Sequence, residues 1–353
     1  MTVPFRIGVM QLTMEPVREI LENASIMDTA GFDTIWLAEA YPWWRKHSME
    51  ARSTTALSAL IAERTDRIAI GWGIISPYSR HPIQVAMDAR VTQEAAGPDR
   101  FYLGFGASKI FMREIGDPDL PRTSIVESIE IVRAILAGEA LDYEGRVFTA
   151  RIPEMTPDTE APRDRVPIYM AGTGPRMQQT AGEIADGLLT PSITTPGFVR
   201  HAKQNVAIGA ERAGRDLNEV DIGCTIVASI HPTDRDKGRD GAREIAGMYL
   251  ANKVQNIRGS ADTLLNEAGL SFDELRPIAE AMERGGRLAA KAEVTDEILD
   301  KTRPIAGTPD ECIKAIAEYG EAGCTHVMLE LWGEDRGRQL ELFGSEVLPA
   351  FRS

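Results

Sequence analysis

Ile70-Gly71-Trp72-Gly73-Ile74-Ile75-Ser76-Pro77-Tyr78-Ser79-Arg80-His81-Pro82 reads as a β-branched strand that runs into glycines and then into a Ser-Pro turn. Glycine lacks a Cβ, so the backbone there reaches conformations closed to other residues and lets a flat ligand lie against it. An ordinary bulge at a strand end is the other reading of the same residues. Working outward, short apolar runs alternate with amphipathic helical stretches along the chain, the pattern of parallel strands joined by crossover helices. The runs are Phe5–Met10, Thr34–Leu37, Ile68–Trp72, Phe101–Phe105, Pro167–Ala171, Gly187–Thr190, Ile222–Ser229 and His326–Leu331. About eight strands with intervening helices predict an α/β fold, a (β/α)8 TIM barrel whose working loops follow the C-terminal ends of its strands.

Three helix-to-strand joints share one grammar: Ala30-Gly31-Phe32-Asp33, Ala185-Asp186-Gly187-Leu188 and Ala322-Gly323-Cys324-Thr325. Each places a glycine where a helix can end in a left-handed residue. Thr308-Pro309-Asp310-Glu311 reads as a capping box with proline in the first turn, and Cys312, Ile313, Ile316 and Tyr319 follow as an inward stripe. Ile125, Ile129, Val132 and Leu136 mark another helix face, with a hairpin over Asp142–Phe148 appended after it. From His231 to Pro304 the chain is helical, charged and broken at Gly259, Gly269 and Gly285-Gly286. The expectation is one barrel domain over 1–353 with a helical insertion, 231–304, between the seventh and eighth strands. That insertion reads either as a cover for one mouth of the barrel or as a purely structural excursion.

The 353 residues carry a formal charge of −14, with 43% hydrophobic and 26% charged residues. Such a composition suits a globular protein with a large core and speaks against nucleic acid as a partner, since phosphate backbones are gripped by Lys and Arg clusters. The three cysteines, Cys224, Cys312 and Cys324, are dispersed and odd in number, which argues against a disulfide framework or a CxxC metal site. With no signal-like N-terminus and no apolar run of membrane-spanning length, the expected home is the cytoplasm, with no membrane partner.

Candidate chemistry lies after the second, fourth, fifth and sixth strands. Ala38-Glu39-Ala40-Tyr41-Pro42-Trp43-Trp44-Arg45-Lys46-His47 is dense in aromatic and ionisable groups, and Glu39, Tyr41 and His47 are its candidates for handling a proton. Trp43 and Trp44 serve equally well in loop packing or a subunit interface. Leu103-Gly104-Phe105-Gly106-Ala107-Ser108-Lys109 opens a second small-residue floor. In Met170-Ala171-Gly172-Thr173-Gly174-Pro175-Arg176 a strand turns into a helix, whose N-terminal N–H groups can hold a phosphate. Thr190, Ser192 and Thr194 are hydroxyl donors for the same phosphate. A Rossmann reading of Gly172-Thr173-Gly174 fails, because Met177 stands where the motif needs glycine and the strand pattern continues to about eight. HExxH, GxSxG and P-loop motifs are missing, and the five histidines are too scattered for a metal site. His326, within a strand, reads as a satisfied core residue.

These segments, taken in order and spacing, resemble the bacterial luciferase-like superfamily of flavin- and deazaflavin-dependent oxidoreductases over nearly the whole chain. Within it they look most like the F420-dependent methylenetetrahydromethanopterin reductase group. The matching pieces are Ala30-Gly31-Phe32-Asp33-Thr34-Ile35-Trp36, Gly73 to Tyr78 with His81-Pro82, and Leu103-Gly104-Phe105-Gly106-Ala107. Val166 to Gly172, Ala185-Asp186-Gly187, Val294-Thr295-Asp296-Glu297 and Gly307-Thr308-Pro309-Asp310 complete them. The resemblance implies a cofactor ring laid across a non-proline cis peptide, here Gly73-Ile74, and a phosphate at the Gly172–Pro175 turn. Cofactor contacts then fall to Gly73, Ile74, Ser76, Gly106, Ala107, Gly172, Thr173, Gly174 and Thr190. The implied assembly is a homodimer or larger homo-oligomer.

The chain departs from the reductase group in two places. Gly8-Val9-Met10-Gln11 lacks that group's acidic residue in the first strand, and Glu39-Ala40-Tyr41 replaces its Asp-His-Tyr. Hydride transfer between a small organic substrate and non-covalently bound coenzyme F420, or alternatively FMN, is the first functional expectation. A two-component monooxygenase using FMNH2 from a separate flavin reductase is the second. A non-catalytic flavin-binding protein is the third, since fold alone does not fix function.

Overall fold

The computed structural model describes residues 4–39, 50–107, 120–155, 165–256, 260–332 and 335–352. In chain order come β1 (Arg6–Leu12), α1 (Val17–Ala30), β2 (Thr34–Ala38), α2 (Thr54–Ala62), β3 (Ala69–Ile75), α3 (Pro82–Ala96), β4 (Phe101–Phe105) and α4 (Pro121–Ala137). A small antiparallel hairpin follows, β5 (Leu141–Glu144) with β6 (Thr149–Ile152). Then come β7 (Ile168–Ala171), α5 (Pro175–Ile184), β8 (Gly187–Thr190), α6 (Pro196–Arg212) and β9 (Asp221–Ile230). Four helices, α7 (Arg235–Asn256), α8 (Ser260–Ala268), α9 (Phe272–Ala292) and α10 (Asp296–Thr302), lead to β10 (Ile305–Gly307), α11 (Pro309–Ala322), β11 (His326–Glu330) and α12 (Arg336–Leu342).

Strands β1, β2, β3, β4, β7, β8, β9 and β11 pair in that order, all parallel, and β11 returns to β1. This closed eight-stranded barrel, wrapped by helices, is the predicted (β/α)8 fold. β10 is a ninth strand that the sequence pattern did not yield. It adds to β9 outside the barrel through Ile305↔Ala228 and Gly307↔Ile230, and its three residues are too short to show an alternation. Among the described residues no helix is long and apolar enough to cross a membrane.

Helix ends follow the local chemistry. Gly31 and Gly323 take left-handed conformations, φ 95° and 105°, closing α1 and α11 as expected. The third joint differs: α5 ends on extended Ala185 and Gly187 lies inside β8. A Cβ on Gly187 would stand 2.3 Å from the Tyr169 ring, so that glycine serves packing rather than helix termination. At α11 the Thr308 amide donates to Glu311 Oε2 at 2.9 Å, as a capping box requires. Within the insertion, Gly269 and Gly286 both have positive φ, and Gly286 breaks the course of α9; Gly259 lies outside the described residues.

The barrel interior is filled by Met10, Trp36, Tyr169, Leu189 and Met328, with Ile74, Tyr102 and Ala171 packed around them. Trp36 stacks on Tyr102 and meets Tyr169 edge-on, with centroids 5.9 and 5.0 Å apart. Gly71 exists for this ring: a Cβ there would fall 2.3 Å from Trp36. The quoted stretch therefore divides. β3 continues to Ile75 rather than ending at Trp72, Gly71 seats a core tryptophan, and only Gly73 belongs to the irregular end of the strand.

The base of the barrel is closed by polar contacts. Asp221, 2% exposed at the start of β9, accepts hydrogen bonds from Tyr169 Oη (2.6 Å), from the Thr325 hydroxyl and from the Arg6 guanidinium. His326 is fully buried with Nδ1 3.3 Å from Asp221 Oδ2 and Nε2 2.7 Å from Thr34 Oγ1. Trp36 Nε1 donates to the same Nε2, so Nε2 is an acceptor and Nδ1 carries the proton. Burial lowers the His326 imidazole below its ordinary value, which keeps it neutral. It is the satisfied core histidine that its strand position predicted. Burial alone would raise the Asp221 carboxyl, but the hydrogen bond from His326 and the charge of Arg6 hold it well below the usual carboxylate range.

Asp221→Asn leaves the Arg6 charge buried without its counter-charge, and we expect a loss of about 3–5 kcal/mol in urea unfolding at pH 7. Because the folded-state pKa is depressed, the wild-type advantage is complete above the unfolded carboxyl's pKa of about 4. It shrinks only as pH falls below that value toward the depressed folded pKa. Equal stability of the two proteins at pH 7 would contradict this account.

Candidate active site

In a closed eight-stranded barrel each strand faces the one four places on, so β3 and β4 face β9 and β11 across the C-terminal mouth. On the first side, the pairing of β3 with β4 slips between Gly73 and Ile75, and the Gly73-Ile74 peptide is cis. Ile74 is half-buried and its side chain lies over Gly106. A Cβ on Gly106 would stand 2.9 Å from Ile74 Cδ1 and 3.2 Å from Ala171 Cβ. Gly73, Ile74, Gly106 and Ala107 are thus brought together at the ends of two neighbouring strands, and Ala171 of β7 adjoins them as an apolar floor. Ser76 turns the chain away: its hydroxyl accepts from the Tyr78 amide (3.3 Å), and its carbonyl accepts from the amide and hydroxyl of Ser79.

Beside that floor, Gly172, Thr173 and Gly174 lead from β7 into α5. Pro175 occupies the first helical turn, where its missing N–H costs nothing. Gln178 is buried and donates to the Thr173 carbonyl at 3.0 Å, and Asn205 in turn donates to Gln178 Oε1 at 3.0 Å. The turn is held from behind while its outer face stays clear, since a Cβ on Gly174 would meet nothing within 4 Å. The first amides of a helix have no intrahelical acceptor and carry the positive end of its dipole. This open cradle fits a phosphate. Thr190, at the end of neighbouring β8, is 3% exposed and accepts from Thr194 Oγ1 at 2.9 Å. Thr194 is committed to Thr190 and to the Pro191 carbonyl, and Ser192 points elsewhere. Of the three hydroxyls expected at the phosphate, those of Ser192 and Thr194 donate to groups of the protein itself, and that of Thr190 is an acceptor for Thr194.

At the end of β2, Glu39 is nearly buried and pairs with Arg80 at 2.8 Å. Its other carboxylate oxygen is buried, with no hydrogen-bond partner among the described residues. Tyr41 and His47, the other proton-handling candidates, lie outside the described residues, as do Ser108 and Lys109.

A group the sequence reading passed over faces the floor from across the mouth. Glu330, the last residue of β11, is fully buried. Ser192 Oγ donates to its Oε2 at 2.8 Å, and the Tyr249 hydroxyl, carried by α7, donates to Oε1. Burial pushes the Glu330 carboxyl up to about 6 and drives the Tyr249 phenol well above its ordinary value. Next to it, Arg336 is bound by Glu15 and by Gln11, and Gln11 Nε2 also donates to Glu15 at 2.7 Å. The one signal in the sequence was an acidic residue inside the apolar run Val327-Met328-Leu329-Glu330-Leu331.

Comparison with known proteins agrees with this architecture. The model of the family described as luciferase-like monooxygenase matches residues 1–326. The 5,10-methylenetetrahydromethanopterin reductase of Archaeoglobus fulgidus is 29% identical, over 95% of this chain and 96% of its own. An F420-dependent glucose-6-phosphate dehydrogenase of Tsukamurella paurometabola is 26% identical, over 95% of this chain and 94% of its own. Among solved structures, the coenzyme F420-dependent tetrahydromethanopterin reductase of Methanopyrus kandleri superposes with a TM-score of 0.86 at 27% identity. That match covers 99% of this chain and 100% of the other. With a closed parallel barrel, a floor at the irregular end of β3 and a family match over nearly its full length, this chain belongs to the luciferase-like monooxygenase family of flavin- and F420-dependent oxidoreductases.

Proposed function

We propose that the protein is an F420-dependent oxidoreductase that moves a hydride between the coenzyme and a small organic substrate. The observation that carries this reading is the adjacency of two differently built surfaces. An apolar floor of Ile74, Gly106 and Ala171 lies beside the open turn Gly172–Gly174 at the N-terminus of α5. A ring with a phosphate on a flexible tail asks for both, a flat contact and an anion cradle, within one half of a barrel mouth. Relatives named for F420 match 95% and 99% of the chain, which favours the deazaflavin over FMN. What F420 supplies when bound is a hydride acceptor or donor that does not readily activate dioxygen.

The chain's own residues bind and orient. The floor supports one face of the ring and leaves the other for substrate, so that reactive atoms meet by proximity and alignment. The α5 amides and Thr190 hold the phosphate end. Glu39, fixed by Arg80, borders the ring's side of the mouth and presents its second oxygen to an incoming donor.

The test is a pair of fluorescence titrations of the purified protein, with F420 and with FMN, each oxidised and reduced. We expect F420 to bind at least tenfold more tightly than FMN. Preference for reduced FMN together with substrate-dependent oxygen uptake would overturn this reading in favour of a monooxygenase. Gly174→Asp separates the cradle from general stability. Gly174 sits at the cap of α5 with φ −86° and ψ 153° and open space beyond, so aspartate fits there and caps the helix. Its carboxylate then occupies the position of the phosphate. We expect an unchanged or higher melting temperature and at least tenfold weaker F420 binding. Unaltered affinity would remove the turn from the site.

A further inference from the structure

Hydride transfer between a coenzyme and an alcohol or carbonyl also requires a proton to move, and among the described residues the mouth carries Glu39, Glu15 and Glu330. Glu39 is bound directly to Arg80 and Glu15 to Arg336, so protonating either breaks an ion pair. Glu330 differs. Its carboxylate is held by neutral donors, the hydroxyls of Ser192 and Tyr249 and the Trp332 side chain, and the nearby cation Arg336 is already engaged by Glu15 and Gln11. Glu330 ends β11, which lies opposite β4 and therefore across the mouth from the Ile74–Gly106 floor. Tyr249 belongs to α7, which reaches this side of the mouth through the Tyr249–Glu330 contact, and the residue is half-buried there.

We propose that Tyr249 and Glu330 form the proton-transfer pair of the enzyme, and that its substrate is an alcohol, oxidised to the carbonyl compound, or the reverse. This rests on the F420 reading above. In the oxidative direction the substrate carbon loses its hydrogen with two electrons to the oxidised deazaflavin. The hydroxyl proton passes to the Tyr249 oxygen while the Tyr249 proton passes to Glu330 Oε1. The alcohol has lost two hydrogens, the coenzyme has gained a hydride, and the carboxylate has gained a proton. Tyr249 touches substrate and is the catalytic residue; Glu330 acts through it and is a positioning residue and proton store, with Ser192 fixing its second oxygen.

The surroundings suit a carboxyl that changes state. Burial holds Glu330 near 6, so it is ionised at neutral pH and can accept a proton without a large penalty. The groups facing it are Tyr249 from α7, Ser192 after β8, Trp332 after β11 and Arg336 of α12, with Glu15 and Gln11 beyond Arg336. Arg287 of α9 lies over the Trp332 ring at 5.2 Å. Lys253, one turn along α7 from Tyr249, is 8% exposed, and burial lowers its amine to about 8. Lys253 therefore titrates well above the carboxyl and does not produce the same limb of a pH profile.

The experiment uses the full chain loaded with F420, propan-2-ol and cyclohexanol as hydride donors, and single-turnover loss of oxidised F420 absorbance between pH 5 and 9. For wild type we expect a rate that falls below about pH 6. Tyr249→Phe should slow transfer at least a hundredfold with F420 affinity within threefold. Glu330→Gln should remove the limb near pH 6, and Glu330→Asp should restore it in part. Infrared titration of the loaded protein gives a readout independent of turnover: a carboxyl band titrating near pH 6 should vanish in Glu330→Gln and shift in Tyr249→Phe. Variants within threefold of wild type, a retained limb in Glu330→Gln, or no transfer from either alcohol would overturn the inference while F420 binding left the function standing. Failure of wild type to bind F420 would overturn both.

Discussion

A single buried carboxylate holds the lower end of this barrel together. Asp221 opens β9, and the groups that bind it come from β1, β7, the approach to β11 and β11 itself. Through His326 the network reaches Thr34 and Trp36 of β2. Five of the eight barrel strands thus meet in one cluster. An anion inside protein is costly unless its lone pairs are filled and a counter-charge is near, and here both conditions hold only when those strands have taken their places. Burying the charge ties the first and last barrel strands of the chain, β1 and β11, to β7 and β9. The aromatic layer of Trp36, Tyr102 and Tyr169 rests directly on this base, because Tyr169 and Tyr102 also hydrogen-bond Arg6.

Above that layer the polarity is distributed differently. One side of the mouth is apolar and shaped by small residues, and the other carries a carboxyl, a phenol and a hydroxyl in mutual contact. The lower network has its carboxylate neutralised by Arg6. The upper one keeps its carboxyl away from direct cation contact and closer to neutrality. Similar residue types are therefore charge-paired at one end and kept near neutrality at the other, and it is the second end that in such barrels carries the working loops.

Much of this was legible beforehand because strand and helix periodicities are local. β-branched runs such as Ile68–Trp72 and Ile222–Ser229, and the cap Thr308–Glu311, announce themselves within ten residues. Gly106 and Gly172–Gly174 were also readable as small residues at strand ends, where the structure has Ile74 packed over Gly106 and open space beyond Gly174. What failed was non-local. Gly71 and Gly187 looked like backbone devices, yet each clears space for an aromatic ring from another strand. Ser192 looked like a phosphate donor but turns to Glu330, 138 residues away, and Glu330 meets Tyr249 across 81 residues. No spacing rule links such partners, and a lone glutamate in an apolar run acquires meaning only when the strand closes against an insertion.

The insertion departs and returns at hydrogen-bonded neighbours. β9 ends at Ile230, β10 ends at Gly307 beside it, and the His231 amide donates to the Gly307 carbonyl at 2.9 Å. Closure entropy grows slowly with the length of chain between two fixed points, so this doorway accepts segments of very different size at little cost to the barrel. Tyr249 arrives through it. The fold can therefore exchange the wall that carries Tyr249 as a cassette, keeping the opposite half of the mouth intact, and the mouth can diversify by substitution of one contiguous stretch rather than by rebuilding a core.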